Sequence, residues 1–230
     1  MAVTVQELIN NVRVTLQDEL AVRWTDAELI DYINDAARQC VVIKPDCNPI
    51  TEEFVCAAGY KQSFSSLSTE LVQLLEVVQN TTTGGNTDER PVTFLKRNVL
   101  DSEQPTWRQT ASSVTIQYYM YDVQQRDIMY VYPPATGGAT IELVYSGVPL
   151  PVTVVGDDLP LQDIYAPAIT NYVLWRAYNK DIDFSGNVDL AGGYYAAFYQ
   201  ALTGEPLQEY YFRGTAPERH VPQAVVEEAG

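Results

Sequence analysis

The stretch WTDAELIDYINDAARQCVVIKPD, from Trp24 to Asp46, decides how the rest of the chain is read. Thr25 followed three residues on by Glu28 spells a capping box, in which hydroxyl and carboxylate each satisfy a backbone N–H left orphaned at a helix start. Behind it Leu29, Ile33, Ala36 and Cys40 recur at helical spacing, with Ile30, Ala37 and Val41 as a second apolar row. Asp31, Asn34, Asp35 and Arg38 fill the opposite face. Pro45 stops the helix, since it has no N–H to donate and biases Lys44 away from helical angles. The apolar stripe needs partners elsewhere.

Upstream, Thr4 and Glu7 make a second capping box, opening a helix to about Glu19 with Val5, Leu8, Ile9, Val12 and Leu16 on one side. A connection of about five residues then forces an antiparallel hairpin, with Leu20, Val22 and Trp24 plugging the turn. Downstream, from Ile50, the period changes to two. Strands are predicted around Phe54–Cys56, Lys61–Phe64, Leu71–Val78, Val92–Leu95, Val114–Tyr121, Asp127–Tyr132 and Thr140–Ser146, with a weak one at Val152–Val155. Pro133-Pro134 and Gly137-Gly138 punctuate the Asp127–Tyr132 and Thr140–Ser146 segments into an expected hairpin. Residues 80–88 have turn composition and read as an exposed loop.

The helical period returns after Gly156. Leu161, Tyr165, Ala168, Tyr172 and Trp175 mark one largely buried helix, and Leu190, Tyr194, Ala197, Phe198, Ala201 and Leu202 a last one, about Val188–Thr203, stopped by Gly204. Neither helix pair hides its stripe alone, so both are expected in one four-helix layer. The fold class is α+β. It comprises an N-terminal helical hairpin (1–48), a central antiparallel β-sheet or sandwich insertion (49–156), a C-terminal helical hairpin (157–204) and an extended arm (205–230).

Chemistry-bearing motifs are few. His220 is the sole histidine and lies among the prolines of the arm, without a scaffold for a nucleophilic triad, and three scattered cysteines give no zinc spacing. A Cys47–Cys56 disulfide is open to test. Asp181-Ile182-Asp183-Phe184-Ser185-Gly186-Asn187 imitates a calcium loop, but Gly192 stands where a bidentate glutamate is needed, which favours a helix–helix turn capped by Asn187 or Asp189. The paired glycines lack the Lys and Ser/Thr of a phosphate loop. No cofactor, metal or catalytic site is expected. Thirty acidic against 14 basic residues give a net charge of −16, a surface that repels phosphate and argues against a DNA-gripping groove; it suits an ordinary soluble acidic protein or, less often, a surface past which DNA slides without sticking. No apolar run approaches a membrane span, so synthesis in a reducing cytoplasm and no membrane partner are expected. The arm's aromatic knot, Tyr210, Tyr211, Phe212 and Arg213, has no local core to enter and is the candidate partner-binding site.

Trp24, Glu28-Leu29, Ile33-Asn34-Asp35-Ala36, Arg38, Val41 and Lys44-Pro45-Asp46 together resemble the opening of head-to-tail adaptor (connector) proteins of tailed bacteriophages. The similarity continues in order through Leu100-Asp101, Pro105-Thr106-Trp107, Tyr130–Pro134, Ile141–Ser146, Asp163–Tyr165 and Tyr172–Tyr178, over roughly residues 5–205. The resemblance implies a non-enzymatic virion protein at the head–tail junction, assembled in the host cytoplasm. It would form a homo-oligomeric ring, usually of twelve, under the portal protein. The ring would meet the next tail component (nozzle or tail tube) and pass genome DNA through an axial channel without tight binding. Two other classes remain open on the residues themselves. One is a carbohydrate- or peptide-binding β module on a helical base, which needs an exposed aromatic strip. The other is a carboxylate-based hydrolase, which needs two close carboxylates in a cleft.

Overall fold

The computed structural model describes residues 3–81, 89–180 and 185–204, the first three residues of the last segment by backbone alone. Among them are α1 (Val5–Leu16), α2 (Asp26–Ile43), α3 (Arg97–Glu103), α4 (Ala166–Lys180) and α5 (Ser185–Thr203). The strands are β1 (Pro49–Val55), β2 (Gly59–Ser63), β3 (Leu71–Asn80), β4 (Thr93–Phe94), β5 (Tyr118–Tyr121), β6 (Ile128–Ala135) and β7 (Thr140–Gly147).

The long helices form where the caps and stripes place them. Thr4 and Glu7 close a full reciprocal box at α1. At α2 only half of the expected box forms: the Thr25 hydroxyl accepts from the Glu28 N–H, while the Glu28 carboxylate is drawn away to Lys180 and Tyr32. α1 stops at Leu16 rather than near Glu19, because Gln17 adopts a left-handed conformation (φ 55°) and folds its N–H back onto Arg13 and Val14. The connection is therefore longer than the expected five residues. α5 ends as expected at Gly204, whose φ of 75° closes the last turn onto Gln200.

Leu8, Ile9, Leu29, Ile33, Ile169, Val173, Phe198 and Leu202 belong to one buried cluster that draws on all four long helices. Each such side chain contributes about 1.5–3 kcal/mol on burial. α4 and α5 run antiparallel, stitched by ring contacts of Tyr178 on Tyr194, Trp175 on Tyr195 and Tyr172 on Phe198. Lys180 reaches Glu28 at 2.7 Å, so α4 also runs antiparallel to α2. The C-terminus of α5 accordingly emerges at the end of the helical unit from which α2 passes into β1.

The insertion carries two sheets, ordered β1-β7-β3 and β2-β6-β5-β4. Their facing sides share a second core, with Phe54, Leu74, Val77, Ile141, Leu143 and Tyr145 from one sheet and Tyr119, Met129 and Val131 from the other. Period two holds along β5 and β6: Tyr119, Met129 and Val131 point into the sandwich, whereas Met120, Tyr130 and Tyr132 point the other way, onto Leu100 and Trp107.

The expected hairpin of the Asp127–Tyr132 and Thr140–Ser146 segments does not form. β6 and β7 lie in different sheets, β6 pairing with β2 and β5, and β7 with β1 and β3. The strand predicted over Val114–Tyr121 is shorter, because the Asn80 side chain takes the Ile116 N–H at 2.7 Å and its carbonyl at 2.8 Å in place of a ladder. Residues 152–155 form no strand; the Val155 carbonyl instead receives the Gln6 N–H at 2.9 Å. β4 pairs parallel with β5, so the insertion is not purely antiparallel.

Candidate assembly surfaces

Several polar residues of the Trp24–Asp46 stretch tie α2 to other parts of the chain. Asn34 clamps the backbone of Val152 twice, donating to its carbonyl at 3.0 Å and accepting its N–H at 2.9 Å. Asp35 accepts from Arg176 of α4 at 3.1 Å, and that guanidinium lies 4.9 Å from the Tyr32 ring centre. Lys44 sits over Tyr165 at 5.7 Å. Glu28 is flanked by Lys180 and by the Tyr32 hydroxyl, both at 2.7 Å. Burial alone would raise the Glu28 pKa, but these two donors outweigh it and hold the carboxyl below its ordinary value, while burial and the Glu28 carboxylate push the Tyr32 phenol up to about 12. These residues therefore position elements; none is arranged for proton transfer.

The α1–α2 turn is a rigid projection. The buried Asp18 carboxylate accepts the N–H groups of Val22, Arg23 and Trp24 at 2.9, 3.0 and 2.9 Å. The Trp24 N–H is the main cause of a pKa below the usual carboxylate range. Arg13 braces the far side, reaching Asp26 at 2.8 Å and the Trp24 carbonyl at 3.3 Å. A turn fixed this way holds Leu20 and Val22 outward, 87% and 82% exposed, and Val14 of α1 is 65% exposed. Trp24 does plug the turn as expected, but Leu20 and Val22 face solvent. Apolar side chains held out on an ordered turn need little further ordering to make a contact.

On the insertion, α3 and the Trp107 turn cover the outer face of the four-stranded sheet. Trp107 is fully buried, and its Nε1–H donates to Asp101 at 2.7 Å. That bond, followed by Arg108 at 2.9 Å, lowers the Asp101 pKa. Tyr60 stacks on Tyr130 and Tyr118 on Tyr132, with Trp107 edge-on to Tyr60 and Tyr132. The aromatic row is thus half-buried under α3 and the Trp107 turn of its own chain. Beside α3 lies a cleft of about 540 Å³ bordered by Phe94, Lys96, Arg97, Met120 and Tyr130.

Sequence comparison supplies the family. The family model of the SU10 adaptor protein matches residues 3–221. The chain belongs to the SU10 adaptor protein family. No curated protein matches it significantly. The resemblance to phage head-to-tail adaptors therefore holds at the family level, and the chain is a bacteriophage virion structural protein of a family that is not an enzyme family.

The candidate binding residues Tyr210, Tyr211, Phe212 and Arg213 lie outside the described residues, as do His220 and residues 181–184 of the calcium-like stretch; its last three residues open α5, which begins at Ser185, so Asn187 and Asp189 lie within that helix and do not cap it. Among the described residues no group of three or more metal-ligating side chains converges, and no helix is long and apolar enough to cross a membrane. Cys40, Cys47 and Cys56 are buried and free, so the Cys47–Cys56 disulfide is absent. Burial pushes their thiols up to about 12, 11 and 12, away from reactive thiolate. The reading by residue type missed the exposed turn, because Leu20 and Val22 look like ordinary turn plugs. The signal was Asp18, an acceptor followed by three residues whose N–H groups it gathers.

Proposed function

We propose that the chain is a head-to-tail adaptor that assembles as a ring, of twelve copies in the usual case, between the portal protein and the next tail component, with genome DNA passing along its axis. The observation that carries this reading is the family match over residues 3–221. The helical unit would form a four-helix layer at the ring, with the sandwich of residues 49–156 projecting from it and the arm of residues 205–230 reaching a partner. The rigid turn of Leu20 and Val22 supports such a role, since it offers an apolar contact that costs little ordering on binding. The charge of −16, repeated in each copy, supports a channel that does not retain DNA. Tyr210, Tyr211, Phe212 and Arg213 would engage the portal or a neighbouring copy through the arm. Assembly takes place in the host cytoplasm in this reading, and the finished ring sits at the head–tail junction.

Native mass, measured alone and after mixing with portal rings, tests the proposal. A discrete ring-sized species on the portal is expected. A chain that stays monomeric in both conditions contradicts it. Deleting the residues after Gly204 should leave the melting temperature almost unchanged and abolish portal assembly; normal assembly of the truncated chain would place the contact in the helical unit instead.

A further inference from the structure

The cleft beside α3 stands apart from the surfaces assigned to the ring. Its floor is Met120 with the Tyr130 ring, and Phe94 and Val123, 48% and 50% exposed, form its apolar sides. Two cations border it. The Lys96 ammonium has no ion-pair partner among the described residues, and Arg97 lies over Tyr130 at 5.7 Å, reaching Asp101 only at 4.0 Å. Asp101 is already occupied by Trp107 and Arg108, so it does not neutralise both cations. Asp122 on the rim accepts the Gln124 N–H at 3.0 Å and turns its charge into its own loop. Such a cleft matches a peptide in which branched aliphatic side chains stand next to carboxylates. Nucleic acid would satisfy the cations but would have to approach a chain of net charge −16.

The chain itself contains such a peptide. Residues 205–230 hold five glutamates against two arginines, and they include Val225-Val226-Glu227-Glu228. The family match covers residues 3–221, so these four residues lie outside it. We propose that the cleft receives this segment of the same chain, the valines lying on Met120 and Phe94 and the glutamates pairing with Lys96 and Arg97. The proposal rests on the reading of residues 205–230 as an extended arm.

Reach and direction support it. Gly204 ends α5 at the same end of the helical unit from which β1 begins, so the arm starts beside the insertion. About twenty residues separate it from Val225, enough for about 25 Å as a flexible coil and up to roughly 70 Å fully extended. A tether of that length gives an effective concentration in the millimolar range, so a contact too weak to form between free molecules is populated within one. The arm is then held against its own subunit until a partner competes for it.

Paramagnetic broadening in the full chain tests this. A spin label on Ala229→Cys is directed there because the three native thiols are buried. At low salt the amide signals of residues 94–98 and 120–124 are expected to lose more than half their intensity. The loss should vanish at about 0.5 M salt, where screening acts within a few ångströms, and in Lys96→Glu/Arg97→Glu. It should return when Glu227→Lys/Glu228→Lys is added to that variant. Undiminished signals at low salt, or a loss that survives the charge reversal, overturn the proposal. A loss that appears only between labelled and isotope-enriched chains in a mixture also overturns it, placing the contact between copies. Both substituted cations are exposed, and the unlabelled variant spectrum checks that the fold is intact. Portal assembly of a Tyr210→Ala/Phe212→Ala variant is read separately, so failure of the ring proposal and failure of this contact are distinguished.

Discussion

The helical unit and the sandwich hold themselves together by different means. In the helical unit, apolar stripes do the burying and single long polar side chains fix orientation: Asp35 to Arg176, Glu28 to Lys180, Lys44 over Tyr165. In the sandwich, orientation comes from backbone ladders and from rings packed on rings, with Trp107 as the keystone of the outer face. The first kind of order is written in local sequence at fixed spacings. The second depends on which strands meet, and strands that meet are distant in the chain.

Ile33→Asp is the harshest way to break this contrast. Ile33 is fully buried among the four long helices, and an unpaired charge there costs about 3–5 kcal/mol or more. Loss of the cooperative thermal transition, followed by circular dichroism, is expected; a soluble variant that still melts cooperatively would show that the helices do not share one core. Trp107→Ala should cost about 3–5 kcal/mol, chiefly through the cavity it leaves. Here the damage should stay local. Hydrogen exchange is expected to quicken in α3, β5 and β6 while α2 keeps its protection, and equal loss in both would mean the two cores fold as one.

Asn34→Ala probes the joint between them. Removing both hydrogen bonds to Val152 leaves a backbone N–H and carbonyl poorly satisfied, at about 1–3 kcal/mol, and the melting temperature should fall accordingly. A smaller effect follows from acid. Glu28, Asp18 and Asp101 have pKa values depressed in the folded chain, so their stabilisation is complete above the unfolded values and is lost as pH falls through the folded ones, below about pH 4. Melting temperatures between pH 7 and pH 2 should decline in that range, less steeply in Glu28→Gln. The mildest change is Leu20→Ser with Val22→Ser. Both side chains face solvent, so stability should move by less than about 0.5 kcal/mol. Ring or portal assembly, measured by native mass, should nonetheless weaken; unaffected assembly would remove the turn from the contact surface.

These contrasts also explain what could be read in advance. Thr4 with Glu7, the stripe from Leu29 to Cys40, and Gly204 carried α1, α2 and the end of α5, because caps and 3.6-residue spacing act within a turn or two. Half of the Thr25 box was misread, since a carboxylate that can cap its own helix was claimed by Lys180 from far along the chain. β6 and β7 looked like a hairpin because proximity in sequence and turn residues suggested it. Their true partners, β2 and β1, are selected by which faces can close over Met129 and Ile141. α3 was missed altogether, its seven residues being too few to show a period. Of the candidate site, the aromatic knot at 210–213 lies outside the described residues, and the cleft beside α3 is assembled from segments that no local pattern joins.

One feature of the joint reaches further. Where the chain leaves the helical unit, the Asn48 side chain donates to the Gly147 carbonyl at 2.8 Å, and the Gly147 N–H returns to the Asn48 carbonyl at 3.4 Å. The two crossings are therefore neighbours, and between them Val72 of β3 also packs against the helical core. A strain applied to the sandwich therefore reaches the helices through this clasp and through Val72 together.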